Sequence, residues 1–296
     1  MKILVSGLLN IETTVAVREF PINYYPIDYP FFGVNSAPSG VAYNVALALT
    51  KLGDEVRLSS ILGGDFSAEY IKHTLTDANI KTDNVKTGLS TTPSSVVLYD
   101  PQGRRQIYCD LKDIQETEYD FDEHILKDID LVCACNINFN RPLLYLAKQK
   151  GIKIATDVHA LSNPNDEYNR EFMALADILF VSDESVGSNY QDFIYTLANT
   201  YHNEIIVLGR GSKGASIYTR SSGQIIDLCA YTNVTVVNTV GAGDALFSAF
   251  LHFYSKGFSP IDALHRAEIF AALKIRESGA SKGFVTESEI ERIVKE

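Results

Sequence analysis

“VVNTVGAGDALFSAF” (236–250) sets two glycines and an alanine directly ahead of a carboxylate, between a β-branched run and an apolar stretch. Downstream, “DALFSAFLHFYSKG” (244–257) carries Ala245, Leu246, Ala249, Phe250 and Phe253 at helical spacing and stops at Gly257. Upstream, “NVTVV” (233–237) reads as a strand. A helix N-terminus offers unpaired N–H groups and a partial positive charge, and small residues let an anion come close to them. The backbone of Gly241, Ala242, Gly243 and Asp244 therefore reads as a cradle for a phosphate-sized anion. Asp244 either caps its helix or orients an attacking hydroxyl, as phosphoryl transfer requires. The motif alone leaves both roles open. A carboxylate in a first helical turn is favoured as the anion, which makes it well anchored but weakly basic.

Outward from this stretch, short β-branched runs alternate with helical patterns. “DLVCACN” (130–136) precedes “RPLLYLAKQKG”, “IKIATDV” (152–158) precedes “EYNREFMALA”, and “DILFVS” (177–182) precedes “ESVGSNYQDFIYTLANT”, which leads into “EIIVLG” (204–209). Such runs are strands buried on both faces, and the alternation implies right-handed βαβ units in a parallel sheet. Nearer the N-terminus, “GVAYNVALALTKLG” (40–53) has Val41, Val45, Ala48, Leu49 and Leu52 on one helical face and Gly53 as its C-terminal cap. “EVRLSSILGG” follows as a strand.

Two segments break the rhythm. Residues 13–35 carry three prolines and many aromatics without helical period, and residues 94–109 read as two strands joined by the “DPQG” turn. Together they predict a small β-rich appendage projecting from one edge of a single α/β domain spanning 1–296.

“GRGSKG” (209–214) formally matches a dinucleotide-binding fingerprint, yet that motif must open a helix. Its sequel, “ASIYTRSSGQIIDL”, reads as two strands around a Ser-Ser-Gly turn. The P-loop pattern fails as well, because Gly214 follows Lys213. These glycines form a tight turn or let a flat ligand lie against the backbone.

Of 296 residues, 46% are hydrophobic and 21% charged, which supports a sizeable core, and the net charge of −11 argues against a nucleic-acid backbone as partner. The N-terminal “MKILVSGLL” reads as a buried strand, not a signal peptide, and no apolar run has membrane length. Of four cysteines, Cys109, Cys133, Cys135 and Cys229, only the middle two are close, and they read as small buried hydrophobes in a reducing cytoplasm.

With these motifs in place, the chain resembles the ribokinase-like (PfkB) family of carbohydrate and nucleoside kinases. “NTVGAGD” (238–244) matches the family's D-T-x-G-A-G-D except for Asn238. “SGVAYNVALALTKLG” (39–53) matches its G-G-x-x-x-N-x-A-x-x-L-x-x-L-G pattern through Gly40, Asn44, Ala46, Leu49, Leu52 and Gly53, with Ser39 in place of the first glycine. The resemblance implies a three-layer α/β/α fold with a mostly parallel central sheet and a small β-rich lid over the sugar site. It implies Asp244 as the base for the acceptor hydroxyl, and the Gly241, Ala242 and Gly243 amides as the anion hole. Asn10, Glu12, Gly40 and Asn44 fall at acceptor-binding positions; Gly209, Gly211, Gly214 and Asn238 fall at ATP-binding ones. ATP and Mg²⁺ are the implied cofactors, with a monovalent cation as a further option. The family's N-x-x-E motif is missing, since Ser182 and Ser185 stand there; the adjacent Asp183 and Glu184 are the substitutes, acting through water, with Glu184 as the metal candidate. The usual glycine shortly after “GGD” (63–65) is Ala68.

The expected activity is ATP-dependent phosphorylation of a hydroxyl on a small sugar. A nucleoside acceptor, including a pseudouridine-like one, is the alternative, because Phe20, Tyr24, Tyr25, Tyr29, Phe31 and Phe32 could stack on a base. Arg104 and Arg105 would suit a phosphosugar. A non-catalytic ligand sensor is the contrasting class. An exposed aromatic lid also predicts a homodimer formed through it.

Overall fold

The computed structural model describes residues 1–187 and 189–295. Nine strands form one large sheet. Seven of them run parallel: β1 (Lys2–Ser6), β4 (Glu55–Leu62), β5 (Lys81–Thr87), β8 (Leu131–Ala134), β9 (Lys153–Ala160), β10 (Ile178–Ser182) and β11 (Ile205–Gly209). At one edge β12 (Ala215–Thr219) and β13 (Gln224–Leu228) add as antiparallel strands, the hairpin expected after the 209–214 glycines. The order across the sheet is β13-β12-β11-β10-β9-β8-β1-β4-β5.

The period of two along each strand divides the core between two faces. Ile3 and Val5 join one apolar cluster and Leu4 the other; Ile178 and Phe180 oppose Leu179 and Val181 in the same way. The first cluster is completed by α1 (Val41–Leu52), α2 (Phe66–Asp77), α6 (Ala242–Ser255), α7 (Pro260–Lys274) and α8 (Glu287–Lys295). The second receives α3 (Arg141–Gln149), α4 (Arg170–Leu175) and α5 (Tyr190–Tyr201). This is the expected three-layer arrangement. Fully buried Phe247, Phe250 and Phe253 anchor α6 against the sheet and α7, and each such side chain is worth ~3 kcal/mol in apolar burial.

The lid is a separate four-stranded sheet built from β2 (Asn10–Ala16), β3 (Val34–Ser39), β6 (Ser94–Tyr99) and β7 (Arg105–Asp110), in the order β3-β2-β6-β7. β2 pairs antiparallel with β3 but parallel with β6, so the two sequence segments join side by side into one sheet. In the β6–β7 turn, Asp100 accepts from the backbone N–H groups of Gln102 and Arg104. The aromatic segment between Ala16 and Val34 forms no strand and leaves Tyr24, Phe31 and Phe32 exposed.

Two expectations fail locally. Residues 233–237 are irregular, not a strand. The β-branched side chains there have no neighbouring strand to pair with; Val236 and Val237 are exposed, and the Val237 N–H donates instead to the Ile275 carbonyl at the end of α7. The helix expected over 184–200 begins only at Tyr190. A short 3₁₀ turn (Asp183–Ser185) comes first, and Gly187 then takes a left-handed conformation (φ 71°) that ends it; Ser188 lies outside the described residues.

Candidate active site

Parallel α/β sheets place ligands outside the carboxyl ends of their strands. β1 leads there into Asn10, β9 delivers Asp157 and His159, β10 ends at Ser182, and β11 at Gly209. On the helix side α6 starts at the same end. Its N-cap is Gly241 in a left-handed conformation (φ 79°), and an added Cβ there would lie 2.4 Å from the Ala280 carbonyl oxygen. Glycine at 241 is thus demanded by backbone packing. Gly243, by contrast, faces open space, with no atom within 4 Å of where a Cβ would sit. The Gly243 amide is therefore reachable from outside, whereas the Ala242 N–H donates to the Thr239 carbonyl at 3.2 Å, which corrects the expectation that it serves as an anion-hole donor.

Asp244 lies in that first turn, and the Asn44 Nδ2 amide of α1 donates to its Oδ2 at 2.7 Å. The two motifs therefore meet through one hydrogen bond. Burial pushes the Asp244 carboxyl above the usual aspartate range, partly offset by the Asn44 hydrogen bond and by His159 and Lys274. This corrects the expectation of a weak base: desolvation outweighs the helix terminus, and the group becomes a better proton acceptor.

Asn10 and Asn44 each leave the side-chain carbonyl oxygen buried without a partner. The Asn10 amide donates to Ser95 Oγ of the lid at 3.0 Å. Unpartnered buried acceptors are costly, and hydroxyl groups of a bound polyol would satisfy both. Glu12, two residues along β2, accepts from Ser39 Oγ at 3.4 Å; burial and the nearby Asp244 charge raise its pKa. Gly40 has φ 104°, and a Cβ would strike the Leu8 carbonyl oxygen at 2.4 Å, so its immediate task is to let α1 start against the β1–β2 turn.

The three glycines of the 209–214 turn differ in kind. Gly214 (φ 92°) packs its backbone on Leu228, whereas Gly211 (φ 57°) has nothing within 4 Å of where a Cβ would stand, and Gly209 only ordinary contacts at 3.8–3.9 Å. Asn238 folds its own turn, its Oδ1 accepting from the Val240 N–H at 2.8 Å. Glu184, the carboxylate considered for a metal, is ion-paired with Arg105 of the lid at 2.8 Å. No group of three or more His, Cys, Asp or Glu gathers as a metal cage among the described residues. Arg104 pairs with Asp100 and stays at the lid turn.

Lys274, Asp157 and His159 belong to no motif of the sequence, yet the fold brings them to the site. A lysine inside the apolar run “IFAALKI” (269–275) and polar residues at the end of a buried strand are the only signals of them in the sequence.

The description “pfkB family carbohydrate kinase” fits residues 2–287. A 5-dehydro-2-deoxygluconokinase of Clostridium beijerinckii is 24% identical, covering 93% of this chain and 92% of that one. Among solved structures, a microbiome-derived acarbose kinase superposes with a TM-score of 0.88 at 22% identity, covering 100% of this chain and 99% of its own. An Arabidopsis thaliana ribokinase, solved with ribose and ATP, superposes with a TM-score of 0.82 at 21% identity, covering 99% and 98%.

Proposed function

The chain belongs to the pfkB family of carbohydrate kinases, and from that premise we propose that it phosphorylates a hydroxyl of a small sugar at the expense of ATP, with Asp244 as the base. The observation that carries this reading is the 2.7 Å hydrogen bond from Asn44 to Asp244, which fixes the carboxylate beside the open Gly243 backbone at the α6 N-terminus. Asp244 takes the proton of the acceptor hydroxyl as its oxygen bonds the γ-phosphorus and the bond to the leaving ADP oxygen breaks. The Gly241 and Gly243 amides face the transferred phosphoryl group, stabilising charge by preorganised donors. Asn10 and Asn44 hold acceptor hydroxyls through their free carbonyl oxygens.

The space around Gly209 and Gly211 suits the nucleotide, with Gly214 and Asn238 shaping the neighbouring backbone. Magnesium enters this reading with the phosphates of the nucleotide, as that ion commonly does. Glu184 is the one protein carboxylate proposed for it, in competition with Arg105, and no step is assigned to the metal.

A nucleoside acceptor is the second reading, favoured by the exposed aromatic segment of the lid. The same segment and the exposed edge strand β7 support a homodimer through the lid, which sedimentation at micromolar concentration tests. The free cysteines suit a reducing cytoplasm; no helix among the described residues is long and apolar enough to cross a membrane.

A screen of sugars, phosphosugars and nucleosides with ATP, read as ADP formation, tests the proposal. Sugar-dependent turnover in the parent chain is the expected result. Nucleotide binding by calorimetry without transfer to any acceptor would favour the sensor reading instead.

A further inference from the structure

Lys274 ends α7 with no solvent exposure, and its Nζ donates to the carbonyl oxygen of Val240. No carboxylate lies within ion-pairing distance of it among the described residues. An ammonium has three donors, and withdrawing one from water without a paired anion costs several kcal/mol. A residue placed at that cost at the edge of a site calls for a reason beyond packing. Burial lowers its pKa to about 8, and the two charges that oppose this and favour the protonated form, Asp244 and Glu12, both belong to the candidate site.

The surroundings show what the amine holds. The Ile275 carbonyl, next in sequence, accepts from both the Val237 and Asn238 N–H groups, at 2.9 and 3.1 Å. Gly241 packs its α-carbon against Ala280, beyond the end of α7. The 237–241 segment is thus fastened along the end of α7, and Lys274 grips it at the residue just ahead of the α6 N-cap. The carbonyl of Val240 and the N–H of Gly241 belong to one planar peptide unit. A cation on that oxygen polarises the unit and strengthens the N–H as a donor.

Building on the phosphoryl-transfer reading above, we propose that Lys274 is a positioning residue: its amine holds and polarises the Val240–Gly241 peptide, so that the Gly241 and Gly243 amides face the transferred phosphoryl group. The lysine touches neither acceptor nor nucleotide. It acts through the backbone of the anion hole.

Lys274→Met keeps the length and removes the donor. Expected is a fall in kcat of about tenfold or more, with the acceptor KM within about threefold, because the amides act chiefly in the transition state. The affinity of a non-hydrolysable ATP analogue relative to ADP, measured by calorimetry, is expected to fall by about fivefold or more. This ratio needs no acceptor, so it reads Lys274 even if the acceptor screen finds none. Thermal melting of the variant at or above the parent temperature establishes that it folds. In Lys274→Ala, methylammonium is expected to restore turnover while tetramethylammonium, which has no N–H, does not. A Lys274→Met kcat within twofold of the parent, an unchanged analogue-to-ADP ratio, or rescue no better with methylammonium than with tetramethylammonium overturns the proposal.

Discussion

Asn44 and Asp244, 200 residues apart in sequence, are joined by a hydrogen bond of 2.7 Å between an amide on α1 and a carboxylate on α6. Replacing Asp244 by Asn keeps this contact nearly isosteric and removes the proton acceptor. Turnover is expected to fall by about 10²–10⁴-fold, the usual contribution of a positioned base, with thermal melting unchanged. Near-full activity in Asp244→Asn would remove the base assignment.

The same bond sets a pH dependence. Burial raises the Asp244 pKa, and catalysis needs the deprotonated form, so kcat/KM rises with pH through that raised value. The Asn44 hydrogen bond lowers the pKa. Asn44→Ala therefore moves the acidic limb to higher pH, in addition to weakening acceptor binding. A pH–rate profile of the two proteins checks the direction; a limb that stays in place speaks against Asp244 as the titrating group.

Gly241 and Gly243 separate fold from chemistry. Gly241→Ala forces a left-handed backbone on alanine and drives its methyl into Ala280, so it is expected to destabilise by about 1–3 kcal/mol. Gly243→Ala meets no protein atom within 4 Å and leaves melting unaffected. Its methyl occupies phosphate space, and the ATP-analogue affinity drops. Calorimetry and melting curves on both variants distinguish the two outcomes.

Glu268, buried on α7 with one carboxylate oxygen unpartnered, has its pKa pushed up to about 8 by burial. The folded state therefore holds a proton that the unfolded chain loses above its ordinary value of 4.5. Stability falls as pH rises from that value towards 8, the window in which the folded state binds more protons. Glu268→Gln removes the penalty. Its stabilisation is expected to be small at pH 5 and on the order of a few kcal/mol at pH 8, measured by denaturant unfolding at the two pH values. Equal effects at both would show that Glu268 titrates normally.

Much of the architecture is legible in the sequence because it is local. Apolar residues at helical spacing with a glycine at the end mark α1 and α6, and β-branched runs of four to eight residues mark strands buried on both faces. The failure at 233–237 has the opposite cause: a β-branched run becomes a strand only where a neighbour offers its backbone, and the neighbour here is the end of α7. The site is legible where glycines and a carboxylate share one motif. Lys274 and His159 are not, because their place beside Asp244 depends on how α7 and β9 end in space. The basicity of Asp244 is likewise hidden, since sequence shows a helix terminus but not the desolvation that overrides it.

The lid strand β2 begins with Asn10 and reaches Glu12, whereas Asn44 and Asp244 stand on helices of the main body. An acceptor gripped by all four spans two mechanical parts, so its measured affinity includes the free energy of bringing them together. Substitutions at the root of the lid, remote from any sugar hydroxyl, would then retune which acceptors are used by shifting that conformational balance. Specificity in such a molecule can drift through its joints while its pocket residues stay the same.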